Sequence, residues 1–140
     1  MTRQEEHYES IKQKVAKEIE EGQSHILLPS VLDKFRSLIV QAAILGFQDG
    51  ADVVARRWID PSIDDVRKLP FLTKLMIDGD RREERGENFK ALLPHLEGLQ
   101  REDYFAMYAI FFGTYRVGYS TGSQYVENYV NAPLPADYSE

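Results

Sequence analysis

Two long segments with almost no charge constrain the fold more than any other feature of this chain. Residues Ser37–Gln48 contain no Asp, Glu, Lys or Arg, and Arg116 is the only charged residue between Tyr104 and Val126. In the first segment the apolar side chains point in every direction around a helix axis, which is typical of a helix buried on most sides. We therefore predict two long central helices, over about residues 31–57 and 103–130.

Local start and stop signals predict further helices around this pair. Thr2 and Glu5 have the spacing of a capping box, and we expect the amphipathic helix that follows to end near Gly22. The segment between the two central helices contains several helix starts and proline breaks, which predict shorter helices. Pro133 and Pro135 end regular structure, so residues 131–140 are predicted to form an extended or mobile tail.

The predicted fold class is all-α, because no segment alternates between apolar and polar residues over a useful length. We expect a single-domain helical bundle over residues 1–130. Its two long central helices cross at glycines and are flanked by the N-terminal amphipathic helix and by the shorter helices. The length of 140 residues fits one domain.

Both central helices carry a glycine near the middle. A constant offset of 68 residues aligns Phe47 with Tyr115 and Gly50 with Gly118. Glycine costs about 1 kcal/mol relative to alanine inside a helix, so it usually marks a close approach of two backbones. We interpret these glycines as the crossing point of the two helices. The match is too short to establish an internal duplication.

Composition excludes several classes of function. The chain has no cysteine, which excludes disulfide scaffolds, thiolate zinc sites, iron–sulfur clusters and cysteine nucleophiles. Its net charge of −6 argues against direct binding to nucleic acid, which needs a basic face. The charged N-terminus lacks a signal-peptide core, and the longest uncharged stretches, Ser37–Gln48 and Tyr104–Tyr115, are shorter than the roughly 20 residues of a membrane span. We expect a cytoplasmic protein that binds no cofactor and no membrane.

Arg116 is the most informative charged residue. A buried guanidinium has to be paired, and Asp49 and Asp52 lie just beyond the uncharged stretch of the other central helix. We predict a structural ion pair between Arg116 and these aspartates. An anion-binding or ligand-binding arginine and an exposed surface arginine are the two alternatives.

Six of the eight tyrosines lie in the last helix. Five of them follow a heptad-like spacing together with one phenylalanine and two glycines, in steps of four and three residues: Tyr104, Tyr108, Phe111, Tyr115, Gly118, Gly122, Tyr125 and Tyr129. Tyrosine suits a surface that is half buried and half hydrated, and aromatic residues are enriched at protein interfaces. These tyrosines could line the core, a dimer or partner interface, or a ligand pocket. The candidate interface residues are Tyr104, Tyr108, Tyr115, Tyr119, Tyr125 and Tyr129.

Catalytic and metal-binding patterns are poor. The pairs Glu18-x-x-Glu21 and Asp49-x-x-Asp52 resemble the acidic motifs with which all-α NTP pyrophosphatases hold magnesium. The resemblance departs from that pattern, since an aspartate occupies the third position and Gly22 follows the first pair directly. If the resemblance applied, these four carboxylates would hold the metal. Carboxylates three residues apart are also common on charged helices, so we expect no metal site and no catalytic residues.

By elimination, we expect a small acidic helical protein that acts by binding another protein, as a regulator and as a homo-oligomer. A sharper alternative is a phage-encoded or mobile-element-encoded inhibitor of a nucleic-acid-binding defence protein, because an acidic surface suits such a partner. The enzymatic alternative is a magnesium-dependent nucleotide pyrophosphatase.

Overall fold

The protein is a bundle of α-helices. The computed structural model describes residues 2–25, 29–59, 63–81 and 101–138. These residues form α1 (Arg3–Ser24), α2 (Pro29–Trp58), α3 (Leu69–Asp80) and α4 (Arg101–Asn131), with a short 3-10 turn over Val66–Lys68 before α3. No strand occurs within these ranges. The all-α prediction is confirmed, and both predicted central helices extend slightly further than expected, as α2 and α4.

Helices α2 and α4 cross at glycines, as the sequence predicted. A Cβ atom added at Gly46 or Gly50 of α2 would meet the main chain of α4, and one added at Gly118 or Gly122 of α4 would meet that of α2. In all four cases the nearest atom is a backbone carbonyl oxygen, which cannot rotate out of the way. Only glycine allows the two helix backbones to come this close.

The crossing is symmetric, with an offset of 72 residues. Gly46 faces the carbonyl group of Tyr115, and Gly118 faces that of Ala43, so shifting each number by 72 exchanges the two contacts. The offset of 68 residues in the sequence alignment therefore differs by about one helical turn from the offset that relates the contacts. Buried residues of the two helices are related by the same offset. Both residues are buried in each of four pairs that lie 72 residues apart: Phe35 and Met107, Leu38 and Ile110, Ala42 and Thr114, and Val54 and Val126.

Helix α1 begins with the predicted capping box. The Thr2 hydroxyl accepts a hydrogen bond from the Glu5 amide at 3.1 Å, and the Glu5 carboxylate accepts one from the Thr2 amide at 3.4 Å. The helix does not end at Gly22 but continues to Ser24. A solvated helix tolerates one glycine at a cost of about 1 kcal/mol, which is too small to break it.

Tyr8 attaches α1 to the core. Its ring centroid lies 5.5 Å from that of Phe47 in α2, 5.6 Å from that of Phe71 in α3 and 5.7 Å from that of Tyr125 in α4. The four rings belong to four different helices, so this cluster joins the whole bundle at one end of the α2–α4 crossing. Aromatic pairs at such distances add about 0.5–1.5 kcal/mol each beyond the area they bury.

A buried lysine and an arginine hold the end of α4 and the tail. The Lys68 ammonium is 1% exposed and donates a hydrogen bond at 2.8 Å to the carbonyl oxygen of Val130, one of the last carbonyls of α4. Beyond the helix the tail has no regular secondary structure and turns after Pro135, where the Tyr138 amide donates a hydrogen bond to the Pro135 carbonyl at 3.0 Å. Arg67 donates a second hydrogen bond to the same carbonyl at 2.7 Å. Leu134 packs against the core, so the tail is attached to the bundle as far as it is described.

One stretch of α2 has the length and composition of a membrane span. Among the described residues, the most apolar 18-residue part of Phe35–Trp58 has a mean hydropathy of 1.4, and 61% of that part is buried inside the protein. Helices α1, α3 and α4 all pack against α2. Burial by these neighbours accounts for the apolar character of this helix.

Candidate functional site

The tyrosines predicted to form an interface divide between the core and the surface. Tyr129 is buried, whereas Tyr115, Tyr119 and Tyr125 are half-buried and Tyr108 is 56% exposed. The side chain of Tyr104 lies outside the described residues. The contact line of α4 advances four residues at a time, through Thr114, Gly118, Gly122 and Val126. The heptad-like stripe that contains the tyrosines advances by 3.5 residues per step. It therefore turns away from this contact line towards the N-terminal end of α4.

Tyr115 is the partner of the buried Asp49. Its hydroxyl donates a hydrogen bond to the Asp49 carboxylate at 2.5 Å, and Asp49 is only 5% exposed. A hydrogen bond to a charged group is about twice as strong as a neutral one. The bond therefore stabilises the α2–α4 crossing. Tyr115 lies three residues before Gly118 and seven before Gly122, which places it on the face of α4 towards α2. This spacing could have identified Tyr115 as the partner of Asp49, and the sequence analysis did not use it.

Among the described residues, no ion pair joins Arg116 to Asp49 or Asp52, although the sequence had predicted one. Arg116 is exposed, because one residue beyond Tyr115 the helix has turned by about 100° away from α2. Asp52 instead accepts a hydrogen bond from Arg56 at 2.7 Å. Arg56 also reaches Asp80 at 2.6 Å, so this network joins α2 to the end of α3. These bonds, the one to Asp80 first, raise the pKa of Arg56.

The four carboxylates of the magnesium hypothesis do not form a site. Glu18 and Glu21 are exposed on α1, and Glu18 lies 4.0 Å from Lys14. Asp49 and Asp52 are engaged with Tyr115 and Arg56 at the α2–α4 and α2–α3 contacts. Within the described ranges, no three acidic or histidine side chains are gathered closely enough to hold a metal ion.

A surface cavity of about 360 Å³ lies between α1 and α4. The Tyr125 hydroxyl accepts a hydrogen bond from the Gln4 amide at 2.8 Å and lies 2.6 Å from Nδ1 of His7. Burial raises the pKa of Tyr125 to about 12, so the hydroxyl keeps its proton and can donate it to His7. These bonds attach α1 to α4. The cavity is lined by Gln4, His7, Ile11, Tyr125, Asn128 and Tyr129.

One side of α4 carries a group of exposed apolar residues, which we call the α4 outer face. Its aromatic members are Tyr108 and Phe112, 56% and 59% exposed, whose rings stack with centroids 6.5 Å apart. Beside them, a Cβ atom added at Gly113 would meet nothing within 4 Å, so the surface is open there. The face comprises Tyr108, Ala109, Phe112, Gly113, Arg116 and Val117, all of them exposed.

This face stands out from the other exposed apolar residues. In the described part of the chain, Val53, Val66 and Ile77 are also exposed, but they lie on α2, on the 3-10 turn and on α3 respectively. Single exposed apolar residues are normal on soluble proteins, whereas a contiguous group usually marks a binding surface. Tyr108 and Phe112, whose rings stack, form such a group, whereas Val117 lies about 140° further around the helix from Phe112.

By its fold, the protein is an all-α bundle. Its central helices cross at paired glycines, and its last helix exposes aromatic side chains. No protein family model, no curated protein and no solved structure matches the chain.

Proposed function

We propose that this chain is a non-catalytic binding protein that recognises another protein through the α4 outer face. The observation that carries the proposal is the exposure of two adjacent aromatic rings, those of Tyr108 and Phe112. Burying one large apolar side chain contributes about 1.5–3 kcal/mol relative to leaving it in water. A partner that covered both rings and Val117 would gain several kcal/mol from apolar burial alone.

The chemistry of the face supports this proposal. The centres of protein interfaces are poor in acidic residues and lysine and rich in aromatic residues and arginine. The α4 outer face contains one charged residue, Arg116, although the chain as a whole has 40 charged residues among its 140 by the counts of 17 basic and 23 acidic. Its aromatic rings and its arginine therefore match the composition of an interface centre.

The alternatives receive less support. The pyrophosphatase hypothesis requires Glu18, Glu21, Asp49 and Asp52 to converge, and their side chains have other environments. An inhibitor of a nucleic-acid-binding defence protein would present its negative charge to a basic partner, so the acidic surface of α1 would make the contact. A regulatory role in the cytoplasm is part of our proposal, and the burial of the apolar helix α2 is compatible with it.

Site-specific photocrosslinking in the organism that encodes the protein tests the proposal. Benzoylphenylalanine replaces Phe112 in one variant and Ile77 of α3, which is 51% exposed, in a control variant. On irradiation we expect a covalent protein adduct from position 112 and none from position 77. No adduct from position 112, or equal adducts from both positions, would show that the face binds no protein.

A further inference from the structure

We infer that the cavity between α1 and α4 binds a small aromatic carboxylate. This site uses other residues than the α4 outer face, so the inference does not depend on the proposed function. Its support comes from the size of the cavity, from the rings in its lining, and from the hydrogen-bond donors and the charges around it.

The cavity has the size and the walls of a small-molecule site. Its volume of about 360 Å³ lies within the range of roughly 300–1,000 Å³ that is common for ligand pockets. Its apolar lining consists of Ile11 and the rings of Tyr125 and Tyr129. These rings are held from behind, since Tyr125 packs edge to face on Tyr8 at 5.7 Å and Tyr129 on Phe71 at 5.0 Å. A flat aromatic ring fits such walls, because aromatic rings pack favourably on one another.

The polar lining offers hydrogen-bond donors to a ligand. Gln4 gives one amide hydrogen to the Tyr125 hydroxyl at 2.8 Å and keeps a second. The same hydroxyl donates to Nδ1 of His7 at 2.6 Å, so the imidazole carries a hydrogen on Nε2. Asn128 accepts a hydrogen bond from Gln124 at its Oδ1, and its Nδ2 has no protein acceptor within the described ranges. A carboxylate suits these donors best, because hydrogen bonds to a charged group are about twice as strong as neutral ones.

The charges around the cavity favour an anion over a cation. None of the side chains that line it is acidic, although the chain has a net charge of −6. On α1, Glu5, Glu6 and Glu9 lie at least about 100° around the helix from the lining residues next to them. On α4, Glu127 is turned away by a similar angle and pairs with Arg57 at 3.2 Å. A cationic ligand would therefore find no carboxylate in the lining, whereas an anionic one would find donors.

Titration of isotope-labelled protein with 2-naphthoate, followed by heteronuclear NMR, tests the inference. The ring current of the naphthalene shifts nuclei close to it, so we expect the largest changes at the side-chain amides of Gln4 and Asn128. For a probe of this size we expect a Kd on the order of millimolar. The probe 2-naphthylmethylamine has the same ring with a positive charge, and we expect it to bind at least tenfold more weakly.

Asn128→Asp and Gln13→Glu form a matched pair of variants. Each replaces an exposed amide with a carboxylate of nearly the same shape and adds one negative charge. Asn128 lines the cavity, whereas Gln13 lies about 160° around α1 from Ile11. We expect Asn128→Asp to raise the Kd for 2-naphthoate at least tenfold, because it removes a donor and repels the probe. Gln13→Glu should bind 2-naphthoate as the wild type does.

Three results would overturn the inference. The first is an absence of chemical-shift changes at the cavity up to about ten times the expected Kd, or changes centred on the α4 outer face instead. The second is an equal Kd for the two variants. The third is binding of 2-naphthylmethylamine at the cavity as tightly as 2-naphthoate, which would show that the site does not select a carboxylate.

Discussion

The α2–α4 crossing makes a sharp prediction about a single methyl group. In Gly122→Ala the new Cβ would lie 2.8 Å from both the carbonyl carbon and the Cα atom of Phe47, and closer still to its carbonyl oxygen. These are backbone atoms of α2, which cannot change rotamer to make room. The two helices would have to move apart, and the side chains packed beside the crossing would lose contacts as a result.

We expect Gly122→Ala to destabilise the protein by about 3 kcal/mol, at the upper end of the cost of overpacking. The gain in helix propensity from glycine to alanine, about 1 kcal/mol, offsets only part of the clash. Gly113→Ala is the matched control, since it adds the same methyl group to the same helix where nothing lies within 4 Å. It should stabilise the protein by about 0.5–1 kcal/mol. The two substitutions are therefore expected to have opposite signs.

Urea denaturation followed by far-ultraviolet circular dichroism measures both free energies of unfolding by linear extrapolation. If Gly122→Ala unfolds at the same urea concentration as the wild type, or shifts in the same direction as Gly113→Ala, the close backbone crossing is wrong.

Two further predictions concern the end of α4 and the contact between α1 and α4. Lys68→Met removes the donor to the buried Val130 carbonyl and should lower the free energy of unfolding by about 1–3 kcal/mol. Asp64→Asn changes only the exposed partner of Lys68 and should lower it by under about 0.5 kcal/mol. Equal losses in urea denaturation would contradict the capping role of Lys68. Tyr125 has a pKa of about 12 when folded, against 10.0 ordinarily, so the folded state keeps its proton longer than the unfolded state. Its contribution to stability is thus complete below pH 10 and is lost as the pH rises towards 12. Tyr125→Phe should show a smaller loss of stability over that range, and an equally steep loss in both proteins would contradict the assignment.

Much of the architecture follows from local sequence signals. The uncharged segments predicted α2 and α4, because a helix that is apolar on all sides has to be surrounded by protein. Thr2 and Glu5 predicted the start of α1, because a capping box satisfies donors that no tertiary contact needs to supply. The positions where helices end were harder to predict. Gly79 stays within α3, where the Asp52 carboxylate occupies the space that a Cβ would need, and no local signal shows that contact.

The register of the crossing could have been predicted from the glycines, but the sequence analysis aligned only one pair of them. Both central helices contain glycines four residues apart, Gly46 and Gly50 in α2 and Gly118 and Gly122 in α4. An offset of 68 aligns only Gly50 with Gly118, whereas an offset of 72 aligns Gly46 with Gly118 and Gly50 with Gly122. The observed offset of 72 is the one that brings both glycines of each helix against the opposite backbone at once.

At the candidate site, too, some features follow from composition and others depend on how the helices pack. The last helix is rich in aromatic residues and poor in charge, and both properties follow from composition alone. The packing of α4 against α2 determines that Tyr115 rather than Arg116 binds Asp49, and that Tyr108 and Phe112 face solvent. The reason is geometric: each residue turns a helix by about 100°, so the direction of the contact line between two helices decides which side chains are buried.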